Sequence, residues 1–204
     1  MKQDVVEVRG ARGPAGEYGA VGAVELEQDA QRVYNFMRRV EDQPLWNAGV
    51  KVSKIVGRLT ANTLQVNQVL AWNFLALRGD FNLALSMQED PGRMSIDTQL
   101  LDGGMMRSFT SSVGVRRLGR GRCRLEMSLY MKPSLFVPPG IRHMVGGQVR
   151  RQLAGVLAKI KDTVEGEHVP SNRRSFELGF VRACDAAAIA SALESHPLDI
   201  SVVG

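Results

Sequence analysis

The sequence predicts an α+β fold in which a curved antiparallel sheet of about seven strands is wrapped around one long C-terminal helix, with a short helix after the first strand. Two observations lead to this prediction. Runs of alternating apolar and polar residues, joined by short turns, fill residues 50–131, which is typical of an antiparallel meander. Apolar residues then recur every three or four positions from Ile141 to Val164, which indicates one amphipathic helix.

The composition is that of a globular protein, with 44% hydrophobic and 23% charged residues among 204. These values exclude a collagen-like or wholly disordered chain. The apolar stretches are shorter than the roughly 20 residues that span a bilayer. Two cysteines, Cys123 and Cys184, indicate reduced thiols rather than disulfides or metal ligands. The net charge of +5 makes an anionic partner or surface a candidate.

The N-terminal residues lack the apolar core of a secretory signal, and acidic residues interrupt the pattern of a transit peptide. Either the protein is cytosolic or a longer presequence precedes this sequence. We therefore expect an intracellular protein that is soluble or peripheral to a membrane. The pattern does not distinguish the cytoplasm, a mitochondrion and a plastid.

Residues 1–17 are punctuated by Gly and Pro and are predicted to form a flexible N-terminal leader. A first strand follows at residues 18–27. Asp29 is a candidate N-cap for the short helix, and the segment Gln43–Trp46 is expected to break it, because Pro44 lacks the N–H of a helix interior. The apolar face of this helix comprises Val33, Phe36, Met37 and Val40.

Six more strands are predicted, separated by turn residues such as those of Asp90–Gly92 and Asp102–Gly104. Pro133 is predicted to end the sheet, and the predicted strands cover Val50–Val56, Thr63–Leu70, Gly79–Met87, Arg93–Leu101, Met106–Leu118 and Arg122–Met131.

The domain is predicted to extend over residues 18–165, and residues 166–204 to form a C-terminal tail that is partly ordered or contains one short helix. One helix cannot fill the whole concave face of a twisted sheet. We therefore expect an apolar cavity between the sheet and the long helix, which is the usual kind of site for a small ligand.

Several short sequence segments are distributed along the predicted elements: Val40–Trp46, Val50–Val56, Asp80–Leu85, Arg93–Asp97, Gly104–Phe109 and Pro133–Pro139. They resemble the START-like, or SRPBCC, helix-grip superfamily, and within it the coenzyme-Q-binding and polyketide cyclase/dehydrase group. The likeness covers about residues 18–165. One departure is the segment Ser111–Val113, where many relatives carry Gly and Trp.

The resemblance implies binding, transport or sequestration of a hydrophobic small molecule, such as a quinone, an isoprenoid or another lipid. Two alternatives stay open. One is an enzyme of the polyketide cyclase or dehydrase type, and the other is an assembly or interaction protein whose cavity is filled by side chains. Fold alone does not decide among them.

A catalytic function requires a nucleophile, a base and an orienting group within reach of one another. His168 and His196 lie in the polar tail, whereas His143 begins the long helix, where a surface or capping role competes with a ligand contact at the cavity mouth. Asp80 and Asp97 on predicted strands are a conceivable acid–base pair. The known nucleophile, zinc and phosphate-loop motifs are missing from the sequence, so we expect no cofactor and no metal, and no catalytic residue is assigned.

The cavity is expected to be lined by large apolar side chains of the strands and of the long helix. These candidates are Trp72, Phe74, Phe81, Leu83, Met106, Phe109, Met127, Leu129, Met144, Val145, Val149 and Leu153. The apolar loop of Leu135, Phe136 and Val137 is the candidate cavity entrance.

Five arginines lie close together in one predicted hairpin: Arg116, Arg117, Arg120, Arg122 and Arg124. One interpretation is a solvated hairpin tip that resists edge aggregation. The alternative is peripheral contact with anionic lipid headgroups of a membrane or with an acidic protein. The lack of interleaved aromatic residues argues against nucleic acid, because there is no stacking platform.

Overall fold

The computed structural model describes residues 6–74, 77–134, 137 and 142–166, and of residues 72–74, 77 and 78 only the backbone. Its strands form one antiparallel sheet in the order β1-β2-β8-β7-β6-β5-β4-β3. The strands are β1 Glu7–Arg12, β2 Tyr18–Leu26, β3 Val50–Thr60, β4 Thr63–Phe74, β5 Leu77–Asp90, β6 Ser95–Asp102, β7 Met106–Gly119 and β8 Arg122–Pro133. The helices are α1 Ala30–Met37, α2 Gln43–Trp46 and α3 Arg142–Gly166, with a 3₁₀ turn at Val40–Asp42.

The predicted fold class is confirmed, and the six strands from β3 to β8 correspond to the six predicted runs. On the inner strands of the sheet, alternation places every second side chain toward the core, whereas the edge strand β3 is mostly exposed. On β4, for example, Val66, Gln68 and Leu70 are all buried. Short turns join β3 to β4, β5 to β6, β6 to β7 and β7 to β8. In the last of these turns, Gly121 has a φ of +69°, a conformation that favours glycine.

The prediction of a flexible leader at residues 1–17 is wrong for Glu7–Arg12, which form an eighth strand. This strand pairs with β2 from Glu7 opposite Ala23 to Arg12 opposite Tyr18. Gly13, Pro14 and Gly16, which suggested flexibility, form the turn between the two strands, where Gly16 has a φ of +79°. The strand is stabilised by pairing with the β2 edge, which local composition does not reveal.

The start of α1 is as predicted, since the Asp29 side chain accepts a hydrogen bond of 2.9 Å from the backbone N–H of Gln31. The predicted apolar face is buried. The first helix ends at Met37, before the segment Gln43–Trp46 that was expected to break it, and this segment itself forms the one-turn helix α2. Pro44 lies in its first turn, where a helix does not need the missing N–H.

The long helix α3 buries one continuous stripe of side chains, as its periodicity predicts: Val145, Val149, Leu153, Val156, Leu157, Ile160 and Val164. It packs mainly against β2 and β1. Ile141 and the tail of residues 167–204 lie outside the described residues. Among the helices that the structure describes, none is both long and apolar enough to cross a membrane. Because α3 lies over β1 and β2, much of the inner face from β4 to β7 has no helix of its own to cover it.

Candidate functional site

A cavity of about 630 Å³ lies at this inner face, walled by strands β4 to β8, by α2 and by α3. Small-molecule sites in proteins commonly have volumes of about 300–1,000 Å³. The wall is mostly apolar, as the strand alternation requires, and the cavity is partly open to solvent. Its size and lining suit one hydrophobic small molecule.

Most of the residues predicted to face the cavity lie in its wall. The structure places there Phe81, Met106, Phe109, Met127, Leu129, Val145, Val149 and Leu153. Leu83 is buried but lies outside the lining, and Met144 is exposed on α3, so these two predictions are wrong. The side chains of Trp72 and Phe74 lie outside the described residues. That the lining residues contact a ligand stays a prediction.

The sequence analysis missed the polar part of the wall. Gln43, Gln68, Thr98 and Ser111 all line the cavity, and Thr98 lies directly opposite Ser111 on the neighbouring strand. The sequence contained a signal that was missed. Every second residue of a strand faces the same side of the sheet, so Gln68, between Val66 and Leu70, occupies a core-facing position. The sequence analysis considered only large apolar side chains as candidates for the lining.

The polar groups at the β3–β4 end of the cavity are connected by hydrogen bonds. The Gln68 amide Nε2 donates to Gln43 Oε1 at 2.6 Å and to Ser53 Oγ at 3.2 Å. Gln68 and Ser53 are buried and lie opposite each other on β4 and β3. The network holds the Gln43 side chain of α2 against the sheet.

Trp46 completes this end of the cavity. It is 4% exposed, and its ring packs at 45° against that of Phe36, with centroids 6.3 Å apart. Its indole Nε1 is buried and has no hydrogen-bond partner. An unpartnered buried donor is uncommon, because leaving it unpaired costs about 1–3 kcal/mol.

Polar side chains of α3 also line the cavity. Gln148, Arg151 and Gln152 belong to the lining, and Arg151 donates a hydrogen bond of 2.9 Å to Gln148. Gly49, another lining residue, comes so close to Gln152 that a Cβ would clash with the amide. Arg151 is exposed and is the one charged residue among the described lining residues.

The lining offers little for acid–base chemistry. Among the described residues, it contains no Asp, Glu, His, Lys, Cys or Tyr. His143 is exposed at the start of α3 and lies outside the lining. The conceivable pair of Asp80 and Asp97 is not formed, since Asp80 is bound to Lys51 at 2.7 Å and Asp97 lies opposite Gln88 at the far end of β5.

The described part of the chain contains no group of His, Cys, Asp and Glu side chains that could hold a metal ion. His168 and His196 lie outside the described residues, as do Leu135 and Phe136 of the candidate entrance. Val137, the third entrance residue, is half-buried and packs against the core.

The arginine-rich hairpin is largely paired with carboxylates of neighbouring strands. Arg122 binds Glu25 at 3.0 Å, and Arg124 binds Glu7 at 2.9 Å. Arg116 lies 4.0 Å from the carboxylate of Glu126. Only Arg117 and Arg120 are exposed without an ion pair among the described residues of this hairpin. Contact of the hairpin with an anionic surface stays a prediction. It now rests mainly on these two arginines, because the other three are close to carboxylates.

Solved structures show the same architecture. A START superfamily protein from Mycobacterium smegmatis is 21% identical, with a TM-score of 0.58 over 74% of this chain and 99% of its own. The Zhui aromatase/cyclase from Streptomyces sp. R1128 is 12% identical, with a TM-score of 0.64 over 82% and 100% of the two chains. A STAR-related lipid transfer protein from Xanthomonas axonopodis is 11% identical, with a TM-score of 0.63 over 81% and 96%. These likenesses establish the START-like helix-grip fold.

No curated protein matches this chain in sequence. A family model described as polyketide cyclase/dehydrase and lipid transport matches residues 26–157, the segment that contains α1, the strands β3 to β8 and most of α3. Because that match covers more than half of the 204 residues, and the fold agrees with it, the chain belongs to the polyketide cyclase/dehydrase and lipid transport family.

Proposed function

We propose that this protein binds a hydrophobic small molecule in the cavity and carries or sequesters it. The observation that carries the proposal is the open, mostly apolar cavity of about 630 Å³ in a member of a family associated with lipid transport. A quinone, an isoprenoid or another lipid would fit this chemistry. A ligand that buries about 300 Å² of apolar surface gains about 7 kcal/mol before the cost of association.

The lining favours binding over catalysis. Cyclisation and dehydration move protons, and general acid–base catalysis needs a group that can exchange one near the operating pH. A guanidinium cannot serve as such a group, because arginine is not deprotonated in proteins. The open volume also argues against an assembly protein whose cavity is filled by its own side chains.

Uptake of the neutral fluorescent probe N-phenyl-1-naphthylamine tests the proposal directly. We expect saturable binding, and we expect Val149→Trp to weaken it at least tenfold, because the indole would occupy space in the cavity. The matched control is Ala158→Trp, an exposed position on the same helix, which should bind the probe as the unmodified protein does. Thermal unfolding checks that both variants are folded.

Extraction of the protein purified without detergent, followed by mass spectrometry, tests the nature of the ligand. A stoichiometric quinone, isoprenoid or other lipid would support the carrier function and identify the chemical class. Failure of the folded protein to take up the probe, together with the absence of any extracted apolar molecule, would contradict the proposal. Turnover of a polyketide-like substrate would instead favour the enzyme.

A further inference from the structure

The edge strand β3 exposes an unusual amount of apolar surface. The structure describes nine exposed large hydrophobic side chains, and four of them lie on this one strand. They are Val52, Ile55, Val56 and Leu59, which are 38–51% exposed. Large apolar side chains that are concentrated on one part of a surface commonly mark a site of interaction, whereas single ones do not. The exposed apolar residues of β3 are therefore a candidate docking surface.

The backbone of β3 is available for pairing as well. It is the last strand of the sheet, so its outer side pairs with no other strand among the described residues. Its register with β4 is shifted at three places, but residues 52–55 pair one by one with residues 66–69. In an antiparallel ladder, successive residues direct their N–H and C=O groups to alternate sides of the strand. Half of this regular stretch therefore presents donors and acceptors to the open side, where a further strand can pair.

All the charged side chains of β3 are cationic. The strand carries Lys51, Lys54 and Arg58 and no acidic residue, and the adjacent strand β4 has no charged residue at all. Lys51 is bound to a carboxylate of β5 at 2.7 Å. The 3₁₀ turn, which contacts β3, carries Glu41 and Asp42, but no ion pair joins either of them to β3 among the described residues. Two cations without a carboxylate partner in the described structure therefore lie along the apolar surface.

The combination of these features distinguishes between possible occupants. Protection of the edge against a second copy explains the cations, but it does not explain four exposed large apolar side chains. An anionic bilayer would match the charge and the apolar groups, yet it would leave the open backbone groups without partners in a medium that supplies none. A polypeptide strand satisfies the backbone groups, covers the apolar side chains and can bring carboxylates to the cations.

We propose that β3 binds an extended segment of another protein, which adds to the sheet as a further strand and carries acidic and apolar side chains in alternation. In this mode of recognition, main-chain hydrogen bonds supply the affinity and side chains supply the specificity. The cations that oppose pairing of two copies of β3 select a partner with carboxylates opposite Lys54 and Arg58. Of the residues of β3, only Val50 lines the cavity, so this surface is separate from the ligand site.

Synthetic peptides test the proposed pairing by fluorescence anisotropy. The probe is a fluorescein-labelled peptide of four Glu-Val repeats, and its counterpart carries Lys in place of Glu. We expect the acidic peptide to bind about tenfold more tightly than the basic one. We also expect N-methylation of either all Glu or all Val residues, but not of both sets alike, to abolish binding, because an added strand turns half of its N–H groups toward β3. Failure of the acidic peptide to bind saturably, equal binding of both peptides, or binding that is insensitive to both methylation patterns would overturn the proposal.

A charge-reversed variant locates the binding surface. Lys54→Glu combined with Arg58→Glu should reverse the preference, so that the basic peptide becomes the tighter ligand. Both side chains are exposed, and thermal unfolding checks that the variant is folded. The matched control is Arg117→Glu with Arg120→Glu, which changes the net charge equally and should keep the preference for the acidic peptide. A reversed preference in the control instead would place the binding on the arginine-rich hairpin and contradict the proposal.

Vesicles of phosphatidylcholine and phosphatidylserine test the bilayer as the alternative occupant. We expect the variant with Lys54→Glu and Arg58→Glu to sediment with the vesicles to the same extent as the unmodified protein. Vesicle binding that is lost in this variant, in a protein that binds neither peptide, would identify β3 as a membrane surface and overturn the proposal. None of these measurements involves the cavity, so their failure would leave the proposed function intact.

Discussion

Cys123 shows how its surroundings set the chemistry of a single side chain. It is fully buried on β8, and burial raises the pKa of its thiol from 9.0 to about 11, with the carboxylates of Asp29 and Glu165 adding to the rise. The thiolate is the reactive form of cysteine. Cys123 should therefore be a structural thiol rather than a nucleophile.

The reactivity of Cys123 can be measured in a Cys184→Ser background, where it is the single thiol. At pH 8, we expect the native protein to react with a disulfide reagent far more slowly than the urea-unfolded chain. Well below pH 9, the free energy of unfolding should not depend on the ionisation of this thiol. Between pH 9 and about 11 it should decrease, because the thiol of the unfolded chain ionises first. Rapid labelling of the native protein would contradict the buried state.

The contact between α3 and the sheet depends on a glycine. A Cβ at Gly22 of β2 would lie 2.8 Å from Leu157 Cδ1 and 2.8 Å from the backbone oxygen of Glu7. A contact this close requires the helix or β1 to move. Gly22→Ala should lower the free energy of unfolding by about 1–3 kcal/mol, as overpacking does elsewhere.

Gly10 on β1 provides the matched control for this contact, because a Cβ there meets nothing within 4 Å. We expect Gly10→Ala to be neutral or slightly stabilising, since it reduces the entropy of the unfolded chain. Urea denaturation of both variants measures the difference. Equal stability of the two would show that α3 does not pack on β2 as closely as described.

At the scale of the whole molecule, the sheet that the described residues form has two edges, β1 and β3. On β3, the apolar side chains of Val52, Ile55, Val56 and Leu59 are exposed. The exposed cations Lys54 and Arg58 alternate with them. Charged residues on an edge strand oppose pairing with a second chain, and two copies of β3 would bring like charges together.

Replacing these edge cations should therefore promote self-association. We expect Lys54→Thr combined with Arg58→Thr to form dimers or larger species at concentrations where the unmodified protein is unchanged, as measured by sedimentation velocity. The control is Arg117→Thr with Arg120→Thr, which changes the net charge equally at exposed positions of β7 and the following turn. If the control associates to the same degree, the effect is caused by the lower net charge and not by the loss of the cations on the edge strand β3.

Prediction from the sequence was most accurate where a signal is local. The Asp29 cap, the turn residues and the strand alternation depend on neighbours within a few positions, and each is confirmed by the structure. The segment Gln43–Trp46 shows the limit. Pro44 predicts a helix break, although it lies in the first turn of α2. Trp46, which ends this helix and lines the cavity, is not among the predicted lining residues.

Local periodicity and turn chemistry were therefore sufficient for α1, for the strands β2 to β8 and for the apolar stripe of α3, but not for β1 and α2. Contacts between distant parts of the chain required the three-dimensional structure. The pairing of β1 with β2, the ion pairs of the arginine-rich hairpin and the polar site of Gln43, Trp46 and Gln68 all depend on strand register and on where α3 lies. A sequence pattern indicates which face of a strand or helix a residue occupies. A cavity is the volume left between the faces of different elements, and only the packing of those elements determines it.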